Sequence, residues 1–187
     1  MVEGTTVERE GTETSKPVFG ATGRKIIYDK DGKPCRSCNS LLDFKSAMGV
    51  PSTPKQPVKK PEIVEKSKVL PPTNRACPPD VEEIGKSSWT LLHAIAATYP
   101  EAPTDKQQTD MKQFVKLFGN FYPCWYCGED FVKYTKVNEP KVATQDDFGK
   151  WLCDAHNEVN VKLGKEKFDC NLWKQRWKDG WKDGSCD

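Results

Sequence analysis

The chain has 187 residues and a formal net charge of +2, with 29 Lys and Arg against 27 Asp and Glu, and eight cysteines. Balanced charge without a long single-sign run argues against nucleic acid as the main partner. No apolar run approaches the roughly 18 residues of a membrane-crossing helix, and so many cysteines point to an oxidising compartment.

In chain order, residues 1–76 hold eight prolines and three aromatics (Phe19, Tyr28, Phe44), while 77–187 hold all six tryptophans. Too little apolar surface is present in the first part to offset the entropy of ordering it, so a flexible arm is expected there. Within it, Arg24 to Gly32 looks like a short extended segment ending in a turn, whose Ile26, Ile27 and Tyr28 could dock the arm. The Pro/Lys stretch Pro51–Pro72 reads as a semi-stiff linker, and Lys59, Lys60, Lys66 and Lys68 as its solvated charges. The first residues, MVEGTTVEREGTETS, have neither a secretory apolar region nor the Arg-rich, acid-poor look of a matrix presequence. Cysteine usage and leader therefore pull in opposite directions.

From Cys77 on, the pattern is helical, and a domain over 77–187 is expected. Asp80 can cap a helix whose Glu83 reaches back, with Ile84, Ser88, Leu91, Leu92, Ile95 and Tyr99 following helical spacing to Pro100. Thr104-Asp105 opens a second helix with Met111, Phe114, Val115, Phe118, Phe121 and Tyr122 on one stripe. Pro123 ends it or starts a third, which runs through Phe131 and Tyr134 toward Pro140. Thr144 and Asp147 cap a fourth, with Phe148, Leu152, Ala155, Val159 and Leu163 inward and Gly164 as the stop. A short fifth piece runs from Cys170 to Trp181. The fold expected is all-α: a four-helix bundle with a short fifth helix and a largely disordered N-terminal arm.

Two C-x-x-C pairs carry the chemistry: Cys124 and Cys127 in the bundle, Cys35 and Cys38 in the arm. A helix starting at Pro123 would put Cys124 in its first turn, where backbone N–H groups and the helix dipole favour the thiolate, the species that attacks disulfides and flavins. Lys33 and Arg36 flank the arm pair and act in the same sense, and a tether raises its effective concentration at any site within reach. The competing reading is a zinc knuckle built from Cys124 and Cys127 with two of Cys153, Cys170, His93 and His156. It lacks a second close-spaced ligand pair. A bridge from Cys153 to Cys170 would pin the short C-terminal helix. Cys77 and Cys186, at the domain's ends, could bridge within one chain or between two.

Gly149, Cys153, His156 and Asn160 fall on one face of the fourth helix, with Asn157 adjacent, while Trp89 and His93 share a face of the first. Two His, two Asn and a stacking Trp suit a planar, hydrogen-bonding cofactor. Thiols give up electrons in pairs and oxygen takes them singly; a flavin links the two.

These motifs resemble the Erv/ALR flavin-linked sulfhydryl oxidases. The matching strings are Cys77-Pro78-Pro79-Asp80, Gly85 to His93, Tyr122 to Cys127, Trp151 to Asn160 and Arg176 to Asp187; the arm's Gly23 to Tyr28 and Lys33 to Cys38 are similar to those of long mitochondrial members. Fungal members commonly carry this arm without the Ser-Cys-Asp ending; both are present here. The resemblance implies an FAD-containing homodimer in which Cys127 lies over the isoalloxazine and Cys124 is the interchange thiol. Cys35 and Cys38 would shuttle electrons from substrate thiols, across the dimer. Gly85, Lys86, Trp89, His93, Tyr99, Cys127, His156, Asn157, Val159, Asn160, Lys162, Lys165, Arg176 and Trp177 match positions that line the FAD. It also implies a structural Cys153–Cys170 bridge, an intersubunit Cys77–Cys186 bridge and no metal. The setting would be the mitochondrial intermembrane space, with a CHCH-domain import oxidoreductase as thiol substrate and cytochrome c or oxygen as acceptor. The rival from another class is a zinc- or disulfide-stabilised interaction module without catalysis.

Overall fold

The computed structural model describes residues 16–50 and 77–186; the expected linker at 51–72, the first fifteen residues and Asp187 lie outside them. Its helices are α1 (Leu41–Ala47), α2 (Val81–Thr98), α3 (Asp105–Asn120), α4 (Trp125–Val137) and α5 (Gln145–Lys162). A 3-10 turn, Cys170–Leu172, and a π-helical turn, Gln175–Asp179, replace the continuous fifth helix expected from Cys170 to Trp181. The fold is all-α, with α2 packed along α5 and α3 along α4.

Caps set the boundaries. Asp80 Oδ1 accepts from the Glu82 and Glu83 N–H groups at 3.1 and 3.0 Å. The reciprocal box falls on α3, where Thr104 and Gln107 exchange bonds; at α2 Asp80 caps through its own carboxylate. Thr144 caps α5 through the Asp147 N–H, and Gly164 stops it at φ +68°, a conformation that glycine adopts without steric cost.

The core is Leu92, Ala96, Tyr99, Val115, Val142, Phe148, Trp151 and Leu152. Each large apolar side chain buried here stabilises the domain by about 1.5–3 kcal/mol. Three residues of the expected inward stripes are exposed: Leu91 (56%), Phe121 (81%) and Leu163 (42%). The inward stripe of α2 runs through Trp89, Leu92, Ala96 and Tyr99, which turns Leu91 outward. Phe121 and Leu163 are C-caps, where the chain leaves the helical stripe.

Residues 16–50 are more organised than their composition suggests, and polar bonds are the reason. Two isolated bridges, Phe19 to Lys25 and Tyr28 to Pro34, fold the segment back on itself. Ile26 is 2% exposed. The buried Asp43 carboxylate accepts from the Thr22 N–H (2.8 Å), the Thr22 hydroxyl (2.5 Å) and the Ser40 hydroxyl (2.9 Å). Burial alone would raise its pKa, but the bonds from Thr22 and Ser40 and the charge of Arg24 prevail and hold it below the usual value. Asn39, 3% exposed, donates to the Ile27 and Cys35 carbonyls at 2.8 and 2.6 Å and accepts from the Ile27 N–H at 2.9 Å.

Candidate active site

The redox pair sits where α3 gives way to α4. Cys124 is the N-cap of α4, and its Sγ accepts from the Cys127 N–H at 3.2 Å. The pattern had suggested a place inside the first turn. The sulfur is instead the cap, because it can take an N–H group that the helix start leaves without a partner. Cys124 and Cys127 are joined as a disulfide; Cys124 is fully buried and Cys127 half-buried. When the bond is reduced, that N–H and the positive end of α4 favour a thiolate at Cys124.

Two glycines bring the pair close to α3. A Cβ at Gly128 would lie 2.6 Å from the Gly119 carbonyl oxygen, and one at Gly119 would lie 2.8 Å from Val132. No larger residue fits this crossing.

The arm brings a second disulfide, Cys35–Cys38, to the same loop. Ser37, between its cysteines, donates from its hydroxyl to the Pro123 carbonyl at 2.9 Å, one residue before Cys124. Arg36 donates to the Pro78 carbonyl at 3.0 Å and lies over the Phe44 ring at 5.4 Å.

A second centre is built from four rings. Trp89 stacks on His156 (centroids 4.2 Å, interplanar angle 2°), and His93 on Trp177 (4.4 Å, 4°). His93 Nε2 and His156 Nδ1 are 3.0 Å apart, so one donates while the other accepts. Burial, then His156 and the Arg176 charge, push the His93 pKa down to about 3. Burial, then Lys165 and Arg176, push His156 down to about 4. Both rings are therefore neutral near pH 7. His93 Nδ1 is buried without a hydrogen-bond partner. An orphaned polar atom in such a place marks a site that a ligand atom or water completes.

Arg176 lies 4.2 Å over the Trp177 ring, and both come from the π-helical turn, a feature common at functional sites. Gly85 lies one turn before Trp89, and a Cβ there would meet nothing within 4 Å, so the space beside it is open. Lys86 is exposed; Val159 and Asn160 are half-buried, with Asn160 donating to Asn157 at 3.4 Å.

Other expected site residues are committed elsewhere. Tyr99 is in the core at the end of α2, its hydroxyl donating to the Val142 carbonyl at 3.0 Å. Asn157 bonds both backbone groups of Phe168 at 2.8 Å and thereby folds the segment leading to Cys170. Lys162 pairs with Asp130 at 2.8 Å, tying α5 to α4. The expected polar stripe of α5 divides in the same way. Gly149 makes room for Trp173, whose ring would lie 2.4 Å from an added Cβ, and Cys153 is bonded to Cys170. Of that stripe, His156 joins the ring cluster.

With Cys124–Cys127 and Cys153–Cys170 closed as disulfides, the zinc knuckle has no thiolates to use, and the described residues contain no group of three or more His, Cys, Asp or Glu placed to hold a metal. Cys77 and Cys186 are exposed and unbonded in the single chain. No helix among the described residues is long and apolar enough to cross a membrane.

The sequence pattern of the Erv1 / Alr family matches residues 86–178. The mitochondrial FAD-linked sulfhydryl oxidase ERV1 of Saccharomyces cerevisiae is 49% identical over 171 residues, which cover 86% of this chain and 90% of that protein. Its Schizosaccharomyces pombe counterpart of the same description is 39% identical over 177 residues, covering 85% and 96%. Among solved structures, the yeast Erv1 core superposes with a TM-score of 0.56 at 53% identity, covering 62% of this chain and 95% of that one. The FAD binding domain of S. cerevisiae Erv1 gives 0.53 at 56% identity, covering 54% and 96%. The likenesses run along nearly the full length of the relatives, and the chain belongs to the Erv1 / Alr family.

Proposed function

We propose that this chain is an FAD-linked sulfhydryl oxidase that makes disulfides in substrate proteins and passes the electrons to oxygen or cytochrome c. The observation that carries the reading is the meeting of two C-x-x-C disulfides at one loop, through the Ser37–Pro123 hydrogen bond.

The thiol steps follow from the residues. A substrate thiolate attacks the Cys35–Cys38 bond, and the substrate's second thiol resolves the mixed disulfide. The substrate gains an S–S bond, and the arm pair takes two electrons and two protons. The arm dithiol then attacks Cys124, with the sulfur of Cys127 leaving, and regains its own disulfide while Cys124 and Cys127 become the dithiol. The capping N–H at Cys124 stabilises negative charge on that sulfur during the exchange.

The ring cluster is the place for the cofactor. Trp89, His93, His156 and Trp177 supply flat faces and the unpaired His93 Nδ1; Arg176 and Lys165 supply positive charge suited to a diphosphate. Gly85, Lys86, Val159 and Asn160 complete the lining. Bound there, FAD supplies the change from two-electron thiol chemistry to one-electron acceptors.

The working form is a homodimer, a reading supported by Leu91, Leu117 and Phe121, which a single chain leaves exposed. Cys77 and Cys186 bridge its two subunits. The arm is a module distinct from the 77–187 domain. The relatives' description as mitochondrial supports a mitochondrial setting, and the intermembrane space suits a disulfide-forming enzyme whose thiol substrate is a CHCH-domain import oxidoreductase.

An absorption spectrum before and after anaerobic dithiothreitol tests the reading. Flavin bands that bleach and return in air are expected; a colourless protein would overturn it.

A further inference from the structure

The contacts that hold the arm against the helical domain use no sulfur, and most of them converge on Pro78, Asp80 and Val81, where the chain enters α2. The Arg36 guanidinium donates to the Pro78 carbonyl, the Val81 N–H donates to the Asn39 carbonyl at 3.4 Å, and the Leu41 N–H donates to Asp80 Oδ2 at 3.0 Å. Asp80 thus divides its carboxylate. One oxygen caps α2, and the other receives the backbone of the arm. The arm's side of the joint is keyed by Asn39, whose amide ties the Cys35 carbonyl to the Ile27 backbone, so the disulfide turn and the anchor move as one piece. The remaining contact, Ser37 to Pro123, sets the turn beside Cys124. The Arg24–Glu82 pair is well exposed on both sides and adds little.

We propose that Asp80 and Asn39 are positioning residues for the shuttle: they dock the Cys35–Cys38 turn at the Cys124 loop before any sulfur exchange occurs. The proposal rests on the reading of Cys35 and Cys38 as the shuttle. Because a charged oxygen is the acceptor, loss of the Asp80–Leu41 bond should lower the effective concentration of the arm thiols at Cys124 about tenfold.

Two substitutions remove this one bond from opposite sides. Asp80→Asn keeps an N-cap oxygen for α2 but offers only one acceptor where two are needed. Leu41→Pro removes the donor N–H at the first position of α1, where proline fits; Ser40 before it already has φ −63° and ψ 157°, the conformation a following proline requires, and the Leu41 side chain is 44% exposed. The test uses the full chain with Cys35→Ser and Cys127→Ser, which leaves one thiol in each redox pair, and with Cys77→Ser and Cys186→Ser, which removes the two exposed free cysteines. Diamide then joins Cys38 to Cys124, taking two electrons and two protons, and the Cys38–Cys124 peptide is followed by mass spectrometry.

Asp80→Asn and Leu41→Pro should each slow this cross-link about tenfold, and the double variant should be no slower than either alone. Thermal unfolding of the helical domain should stay within a few degrees of the parent. A parental cross-linking rate in either variant would overturn the proposal, as would losses that multiply in the double variant. Absence of flavin would instead defeat the oxidase reading and leave the cross-linking result standing.

Discussion

The arm and the bundle each carry a C-x-x-C disulfide, yet different forces hold the two. Cys124–Cys127 stands on a helix start fixed by an apolar core and by the Gly119–Gly128 crossing, where an added Cβ would overlap its neighbours. Cys35–Cys38 stands on a turn organised by Asn39 and Asp43, with Ile26 as its buried apolar anchor, and meets the bundle through a few hydrogen bonds. Hydrogen bonds of this kind contribute about 0.5–1.5 kcal/mol each and exchange readily with water, whereas a packed core does not yield piecewise. The lesson is a division of labour. Under the proposed function, the bundle pair is a fixed acceptor beside the cofactor, and the arm pair is a lightly held carrier that leaves to collect electrons and returns.

If the bundle pair is the fixed acceptor, every electron passes it. Cys127→Ser should abolish turnover with any thiol, small or protein, in an oxygen-consumption assay. The arm should be breakable without harm to the bundle. Asp43→Asn removes a buried charge-assisted acceptor and should cost the arm about 1.5–3 kcal/mol. Hydrogen exchange should then rise across residues 20–44 and stay unchanged in α5. The converse change is Gly149→Ala, whose methyl overlaps the Trp173 ring and should lower bundle stability by about 1–3 kcal/mol. Calorimetry should register it while the arm's exchange is unaltered.

A slower trend separates the regions by pH. His93 and His156 are held neutral in the folded chain, with pKa values of about 3 and about 4, while an unfolded histidine titrates near about 6.5. As pH falls below that ordinary value, the unfolded chain binds protons that the folded one refuses, so stability falls progressively down to about pH 4 and then about pH 3. Urea unfolding of the cofactor-free protein should show this decline, and His156→Gln should make it shallower.

Much of the bundle was legible because helices announce themselves twice, by period and by caps. Asp80, Thr104, Thr144 and Gly164 bound their helices as expected, and the Cys153–Cys170 bond is where the sequence put it. The outward turn of Leu91 was not legible, because one residue of rotation separates it from Leu92 and both are apolar. The arm's order was hidden for another reason. Asn39 and Asp43 organise it through side-chain bonds to partners 12 and 21 residues away, which leave no periodic trace. At the ring cluster, His93, His156, Trp89 and Trp177 do converge, but Asn157 serves the Phe168 backbone and Tyr99 the core. Spacing on a helix shows which face a residue shares; its partner is set by the segment that folds over that face.

The most direct test of the carrier-and-acceptor account is Cys35→Ser assayed with dithiothreitol and with a reduced protein dithiol in parallel. The account expects oxidation of dithiothreitol to continue and oxidation of the protein dithiol to stop. Equal loss with both substrates would contradict it, because the arm would then be part of the fixed site and not its carrier.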